Sequence, residues 1–216
     1  MTGPASDGDI LLAGASGLVG GLLANRLEPA RLVCIGRRRV ESLPDSVRQI
    51  VADPQDWAAE IARLQPAIAV SALGTTIRAA GSQAGFAAID HDLVVSFARA
   101  AREAGAGQFL MVSSVGASAQ SRNFYLSTKG RAEDEVRALS FDRVDIMRPG
   151  LLRGDRTESR PGERVAIAVS PLTDLLTPRA FDQYRSIAAS DVAGAMAQLC
   201  GAGEPGVFVH HNRQMT

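Results

Sequence analysis

The stretch Asp9-Ile10-Leu11-Leu12-Ala13-Gly14-Ala15-Ser16-Gly17-Leu18-Val19-Gly20-Gly21-Leu22-Leu23-Ala24 decides the fold. An apolar burst of strand length runs straight into Gly14-x-x-Gly17-x-x-Gly20, and the residues that follow suit a helix. Strand, glycine turn and helix in direct succession carry a specific chemistry. Glycine lets the backbone turn tightly and come close to a pyrophosphate, while a helix start offers that anion oriented N–H groups and the positive end of its dipole. Glycines alone would also serve simply to end a strand and let a helix pack closely. In this context they predict a dinucleotide turn built from Gly14, Ser16, Gly17, Leu18, Val19 and Gly20.

Outward from this unit the same alternation repeats. Strands are expected at 9–13, 31–35, 47–51, 67–71, 108–113, 143–147 and near 207–210, with helices at about 17–27, 55–64, 83–104, 123–139 and 190–199. Short apolar bursts alternating with helical periods predict an α/β protein, a Rossmann-like doubly wound parallel sheet with helices on both faces. One domain over 1–216 is expected. The stretch 150–186, rich in Arg, Pro and Thr, is expected to form loops and short helices that cover the substrate.

In such sheets ligands gather outside the carboxyl ends of the strands, so the turns after the strands carry the function. After the second strand, where NAD-binding proteins place an acidic residue for the ribose 2′-hydroxyl, the chain reads Gly36-Arg37-Arg38-Arg39. A carboxylate would repel a 2′-phosphate and a guanidinium can pair with it. Arg37 and Arg38 therefore predict NADP(H) rather than NAD(H), against the plainer alternative of a solvated basic loop. Past the third strand, Asp53 is placed to meet the adenine amino group or else to cap the next helix. Past the fourth, Leu73, Gly74 and Thr75 are small enough to let backbone pass beside the cofactor ribose, although such residues also make ordinary turns.

The fifth strand leads into Val112-Ser113-Ser114-Val115-Gly116, and Tyr125-Leu126-Ser127-Thr128-Lys129 opens the next helix. Residues four apart share a helix face, so Tyr125 and Lys129 project together. An ammonium near a phenol favours the phenolate and suits tyrosine to acid/base work, while a serine hydroxyl at the strand end can hold a substrate oxygen. YxxxK on its own is a common surface pair. Behind a glycine turn and a Ser-Ser strand end it reads as a catalytic set of Ser114, Tyr125 and Lys129, with Ser113 as the other serine in range. After the sixth strand, Arg148-Pro149-Gly150-Leu151 makes a helix-avoiding turn.

With these motifs on the page the chain resembles the short-chain dehydrogenase/reductase superfamily over most of its length. It resembles most the atypical branch typified by the Tat-interacting oxidoreductase-like protein. The shared stretches are Leu73-Gly74-Thr75-Thr76, Leu110-Met111-Val112-Ser113-Ser114, Tyr125 to Gly130, Phe141-Asp142-Arg143, Arg148-Pro149-Gly150 and Glu158-Ser159-Arg160-Pro161-Gly162-Glu163. The resemblance implies a Rossmann-like fold, NADP(H) and a Ser-Tyr-Lys site. It further implies that Tyr125 exchanges the proton, that Lys129 also contacts the nicotinamide ribose, and that the backbone around Pro149 and Leu151 faces the carboxamide. The asparagine that many members use in their proton relay has no counterpart here, where the helix reads Ala88-Ile89-Asp90-His91. An NADP(H)-dependent carbonyl/alcohol oxidoreductase is the leading expectation. A cofactor-sensing regulator without turnover and a nucleotide-sugar epimerase are the alternatives.

Composition narrows the partners. With 46% hydrophobic and 21% charged residues the chain can bury a sizeable core, and no apolar run is long enough to span a membrane. Lys plus Arg equals Asp plus Glu at 23 each, so no net field draws the protein to nucleic acid or an anionic bilayer. A small carbonyl or alcohol is the expected partner. Cys34 and Cys200 are far apart, no Cys or His cluster has metal spacing, and no metal is expected. The apolar run at 10–24 has no basic residue before it, the first being Arg26, so it does not read as an export signal. From these features a cytoplasmic protein is expected.

Overall fold

The computed structural model describes residues 8–154 and 185–216. The 158–163 motif of the resemblance, and most of the 150–186 stretch expected to cover the substrate, lie outside the described residues. Strand β1 (Ile10–Ala13) is followed by helix α1 (Leu18–Ala24), β2 (Leu32–Gly36), β3 (Arg48–Val51), α2 (Trp57–Leu64) and β4 (Ile68–Ser71). Then come α3 (Ile77–Ala80), α4 (Gln83–Ala87), a π-helical segment Ala88–Leu93, α5 (Val94–Glu103), β5 (Gln108–Val112), α6 (Phe124–Ala138) and β6 (Arg143–Met147). Two-residue strands β7 (Leu152–Arg153) and β8 (Ile187–Ala188), the helix Ala189–Leu199, β9 (Gly206–His210) and the helix Asn212–Met215 complete the described chain.

Seven strands form one sheet in the order β3-β2-β1-β4-β5-β6-β9, and every neighbouring pair is parallel. Strands buried on both faces are mostly apolar, and β1, β4 and β6 show no exposed position; the charged exceptions, Arg143 and Asp145 of β6, are paired with each other. Alternate side chains feed two cores. Leu12, Leu32 and Cys34 pack with Leu23, Val192 and Met196 under α1 and the helix Ala189–Leu199. Leu11, Val33 and Phe109 pack with Trp57, Ile61, Phe97 and Val136 under α2, α5 and α6. Cys34 serves as a small core side chain, and burial pushes its thiol up to about 11.

The strand order reverses around β1, which lies between β2 and β4, so a crevice opens at their carboxyl ends. Gly14 sits in that crevice at φ +92°, where a Cβ would fall 2.6 Å from the backbone carbonyl carbon of Ala72. Gly20 lets α1 descend onto the turn, since its Cβ would lie 2.2 Å from the Gly14 carbonyl oxygen. Both glycines are needed for close backbone approach.

All seven expected strands form, with ends shifted by a residue at most. The expected helix over 83–104 instead breaks into α4, the π-helical segment and α5. α3 was not anticipated. Its four residues are too few for a periodic signal, and it is capped by Thr76, whose Oγ1 accepts from the Ala79 amide at 3.1 Å. The β7–β8 pair falls at the ends of the stretch expected to be loops, and two-residue strands likewise carry no sequence pattern.

At the middle of β6, Asp145 binds Arg143 Nε at 2.7 Å, Gln108 Nε2 at 2.9 Å and His210 Nε2 at 2.9 Å. Burial by itself would push this carboxyl up. The hydrogen bonds from His210, Arg143 and Gln108, with the Arg143 charge, outweigh it and hold the group below its usual range.

Candidate active site

α6 begins where the Asn123 side chain accepts from the Leu126 amide at 3.1 Å, which puts Tyr125 in the first turn. The Tyr125 ring packs against buried Phe86 with 5.2 Å between ring centroids. Tyr125, Lys129 and Glu133 then follow at four-residue steps along the same helix. Lys129 is almost enclosed. Its Nζ lies 2.8 Å from Asp90 Oδ1 and donates to the Val112 carbonyl at 3.4 Å. The other Asp90 oxygen accepts from the Thr75 amide at 2.8 Å, joining the turn after β4 to the same lysine. A Cβ on Gly74 would be 3.4 Å from Asp90 Oδ1 and 3.6 Å from Lys129 Nζ, so the backbone of this turn lies directly over the pair.

One turn further along, the wholly buried Glu133 accepts from Ser113 Oγ at 2.5 Å and from Arg148 Nε at 2.9 Å. Arg137 Nη2 also reaches Glu133, at 2.9 Å. Hydrogen bonding to Glu133, against opposing desolvation, holds the Arg148 guanidinium more firmly protonated than usual. The two serines that sequence left open differ here. Ser113 is buried with its hydroxyl committed to Glu133, whereas half-buried Ser114 donates only to its neighbour's carbonyl, Val115 O, at 3.3 Å. Backbone bonds from Ser113 N to Met147 O (2.7 Å) and from Val115 N to Pro149 O (2.9 Å) lash the turns after β5 and β6 together, with Pro149 buried between them and Leu151 exposed beyond.

At the other end of the crevice, α1 starts at Gly17 with no side-chain cap and no acidic residue in its first turn, which suits an anion at those N–H groups. Ser16 and Gly17 are exposed, while Val19 and Gly20 are buried, so the first pair faces the crevice and the second packs the helix on the sheet. Arg37 and Arg38 are exposed and line an open hollow of about 380 Å³, while Arg39 turns to Asp45 at 3.8 Å. Asp53 is exposed, and although it stands at the N-cap of the short 3-10 turn Pro54–Asp56, its side chain caps nothing. The expected site residues thus fall at the carboxyl ends of neighbouring strands, in two groups.

Sequence reasoning missed Asp90, Glu133 and Arg148. A signal for Asp90 existed: Phe86, Asp90, Val94 and Phe97 share one buried helical stripe, so a carboxylate interrupts an apolar face. For Glu133 the signal was its place two turns beyond Tyr125 on the face bearing Lys129. The histidines also gain acidic partners that spacing concealed. His91 lies 2.8 Å from Asp92 and 2.9 Å from Glu135, and His210 binds Asp145. Among the described residues no group of three or more His, Cys, Asp or Glu side chains is arranged to hold a metal ion.

The NAD(P)H-binding family matches residues 14–201. The mitochondrial Fmp52 protein of Emericella nidulans is 40% identical over 169 residues, which are 73% of this chain and 72% of that protein. HTATIP2 of Rattus norvegicus is 36% identical over 169 residues, 73% of this chain and 68% of its own length. Among solved structures, UDP-glucose 4-epimerase of Thermotoga maritima with UDP-glucose superposes with a TM-score of 0.72 at 14% identity, covering 94% of this chain and 76% of the epimerase. MoeE5 in complex with UDP-glucose and NAD gives 0.70 at 18% identity, covering 96% and 79%. At such identities the likeness speaks for the Rossmann-like fold.

The expectation of a cytoplasmic protein is corrected by the fungal relatives, whose names place them in mitochondria. It had rested on balanced charge, separated thiols and the lack of an export signal, and none of these distinguishes one reducing compartment from another. The glycine turn, the strand order and the matching relatives converge: the chain belongs to the NAD(P)H-binding family, as an atypical short-chain dehydrogenase/reductase similar to HTATIP2.

Proposed function

We propose that the protein is an NADP(H)-dependent oxidoreductase that interconverts a carbonyl and an alcohol at Ser114, Tyr125 and Lys129. The observation that carries this reading is the placing of Tyr125 one helical turn from a buried, ion-paired Lys129, at the strand end where Ser114 keeps a hydroxyl that Ser113 has lost to Glu133. When bound, the nicotinamide supplies or accepts the hydride. Ser114 donates a hydrogen bond to the substrate oxygen and fixes its position. Tyr125 gives its proton to that oxygen during reduction and takes it back during oxidation. Lys129 stabilises the phenolate left behind and offers an N–H to the ribose.

The chain's other residues fit the cofactor. The cradle at Gly14, which a Cβ would fill, and the uncapped start of α1 suit a pyrophosphate between Gly14 and Gly20. Arg37 and Arg38 hold the 2′-phosphate, Asp53 meets the adenine amino group, Leu73, Gly74 and Thr75 line the ribose side, and Pro149 and Leu151 flank the carboxamide.

The test is cofactor consumption with NADPH and NADH against a panel of aldehydes, ketones and quinones. NADPH is expected to be consumed in preference to NADH. Tyr125→Phe keeps the ring but removes the proton, so it should cut turnover about 10²–10⁴-fold while leaving NADPH affinity nearly intact. Full activity in Tyr125→Phe would overturn the catalytic assignment. Cofactor binding without turnover of any carbonyl would replace the enzyme with a cofactor sensor.

A further inference from the structure

We infer that Asp90 is a positioning residue of this site, which orients Lys129 through a buried ion pair and ties it to the cofactor-side turn through the Thr75 amide. The inference rests on the functional reading above. Both charges are out of water, with side-chain exposures of 0% for Asp90 and 5% for Lys129. A carboxylate or ammonium buried alone is strongly disfavoured, so each charge depends on the other for its place in the fold.

The backbone is adapted to the contact. Asp90 lies within the π-helical segment Ala88–Leu93, the interruption that divides α4 from α5. Such wide turns recur at functional sites because they re-aim a side chain that a regular helix would hold elsewhere. Here the re-aimed carboxylate has a neighbour on each oxygen, Lys129 at Oδ1 and Thr75 N at Oδ2, both at 2.8 Å.

Lys129 is held from two sides. Its Nζ donates to the Val112 carbonyl at 3.4 Å, and the Asp90 carboxylate meets it at 2.8 Å as a charge contact outside hydrogen-bond alignment. Asp90 therefore sets where the ammonium, with its remaining N–H groups, stands beside the crevice.

The experiment uses the full chain, with NADPH affinity measured by fluorescence titration and kcat and KM measured on a carbonyl that the panel yields. Asp90→Asn retains an oxygen for the Thr75 amide and removes the charge. It should lower kcat about 10–100-fold, the effect expected of a misaimed catalytic group, while leaving KM within about threefold. Asp90→Ala also releases the turn and should weaken NADPH binding by about tenfold. If thermal melting shows Asp90→Asn to be unfolded, the comparison moves to Lys129→Met and the double variant Asp90→Asn/Lys129→Met, in which no charge is buried alone. Because Asp90 acts through Lys129, the double variant should bind NADPH as tightly as Lys129→Met.

A folded Asp90→Asn with wild-type kcat would overturn the inference, as would a double variant that binds NADPH more weakly than Lys129→Met. The functional reading fails on a different result, a wild-type protein that turns over no carbonyl. Even then the affinity comparison still decides the role of Asp90, because cofactor binding needs no turnover.

Discussion

The two ends of the crevice are built on opposite plans. The end that suits the cofactor's phosphates consists of backbone and exposed cations: the Gly14 turn, an uncapped helix start, and Arg37 and Arg38 on an open hollow. The end with the chemical groups is clamped by side chains from four segments, buried except for half-buried Arg148, with Asp90 on Lys129 and Glu133 on Ser113 and Arg148. Anion capture calls for donors still available when the ligand arrives, so such donors stay exposed and unpaired. Proton transfer calls for atoms held to within fractions of an ångström, and rotamers are locked that tightly only by packing and a second layer of hydrogen bonds.

The contrast is broken most directly at Glu133. Glu133→Gln removes a fully buried carboxylate from Arg148, and it should destabilise the fold by about 3–5 kcal/mol in urea unfolding. A loss below about 1 kcal/mol would mean that the clamp is not a constraint at all. The exposed end should respond in binding and not in folding. Arg37→Asp is expected to weaken NADP(H) by about 1–3 kcal/mol in isothermal titration, with NAD(H) affinity and the melting temperature unchanged. Equal weakening of both cofactors would show that Arg37 does not contact the 2′-phosphate. The smallest effect belongs to the Arg39–Asp45 pair, held at 3.8 Å on the surface. Asp45→Ala should change neither melting nor cofactor affinity measurably, and a gain in NADP(H) affinity would show that Arg39, once released, joins Arg37 and Arg38.

This division also explains what could be read from the residues alone. Gly14, Gly17 and Gly20 lie three apart where a strand turns into a helix, the last of them in the helix's first turn, and Tyr125 and Lys129 lie four apart on a helix, so local geometry ties each set together. Strand positions emerged for the same reason, since a buried parallel strand is a short apolar run whatever surrounds it. The clamps did not emerge. Asp90 meets a lysine 39 positions away, and Glu133 meets Arg148 across 15, separations with no period to betray them. The break in the expected 83–104 helix was hidden for a related reason. Its residues suit an ordinary helix, and the wide turn coincides with the tertiary contacts of Asp90, which no local period reveals. The choice between Ser113 and Ser114 likewise turned on Glu133, a residue that sequence reasoning had not picked out.

The place of β9 sets an order of assembly. It flanks β6 at the end of the sheet, and its five residues are separated from their partners by the whole stretch from 148 to 205. During synthesis β6 can join β5 at once, but its other side must wait, showing solvent a row of unpaired amides and carbonyls along residues that are all buried in the finished fold. Such an edge invites strands from neighbouring chains. Arg143, at the head of β6, binds Asp145 on its own strand and the Glu204 carbonyl just ahead of β9, at 2.7 Å each, so its guanidinium helps fasten this last edge in the finished sheet.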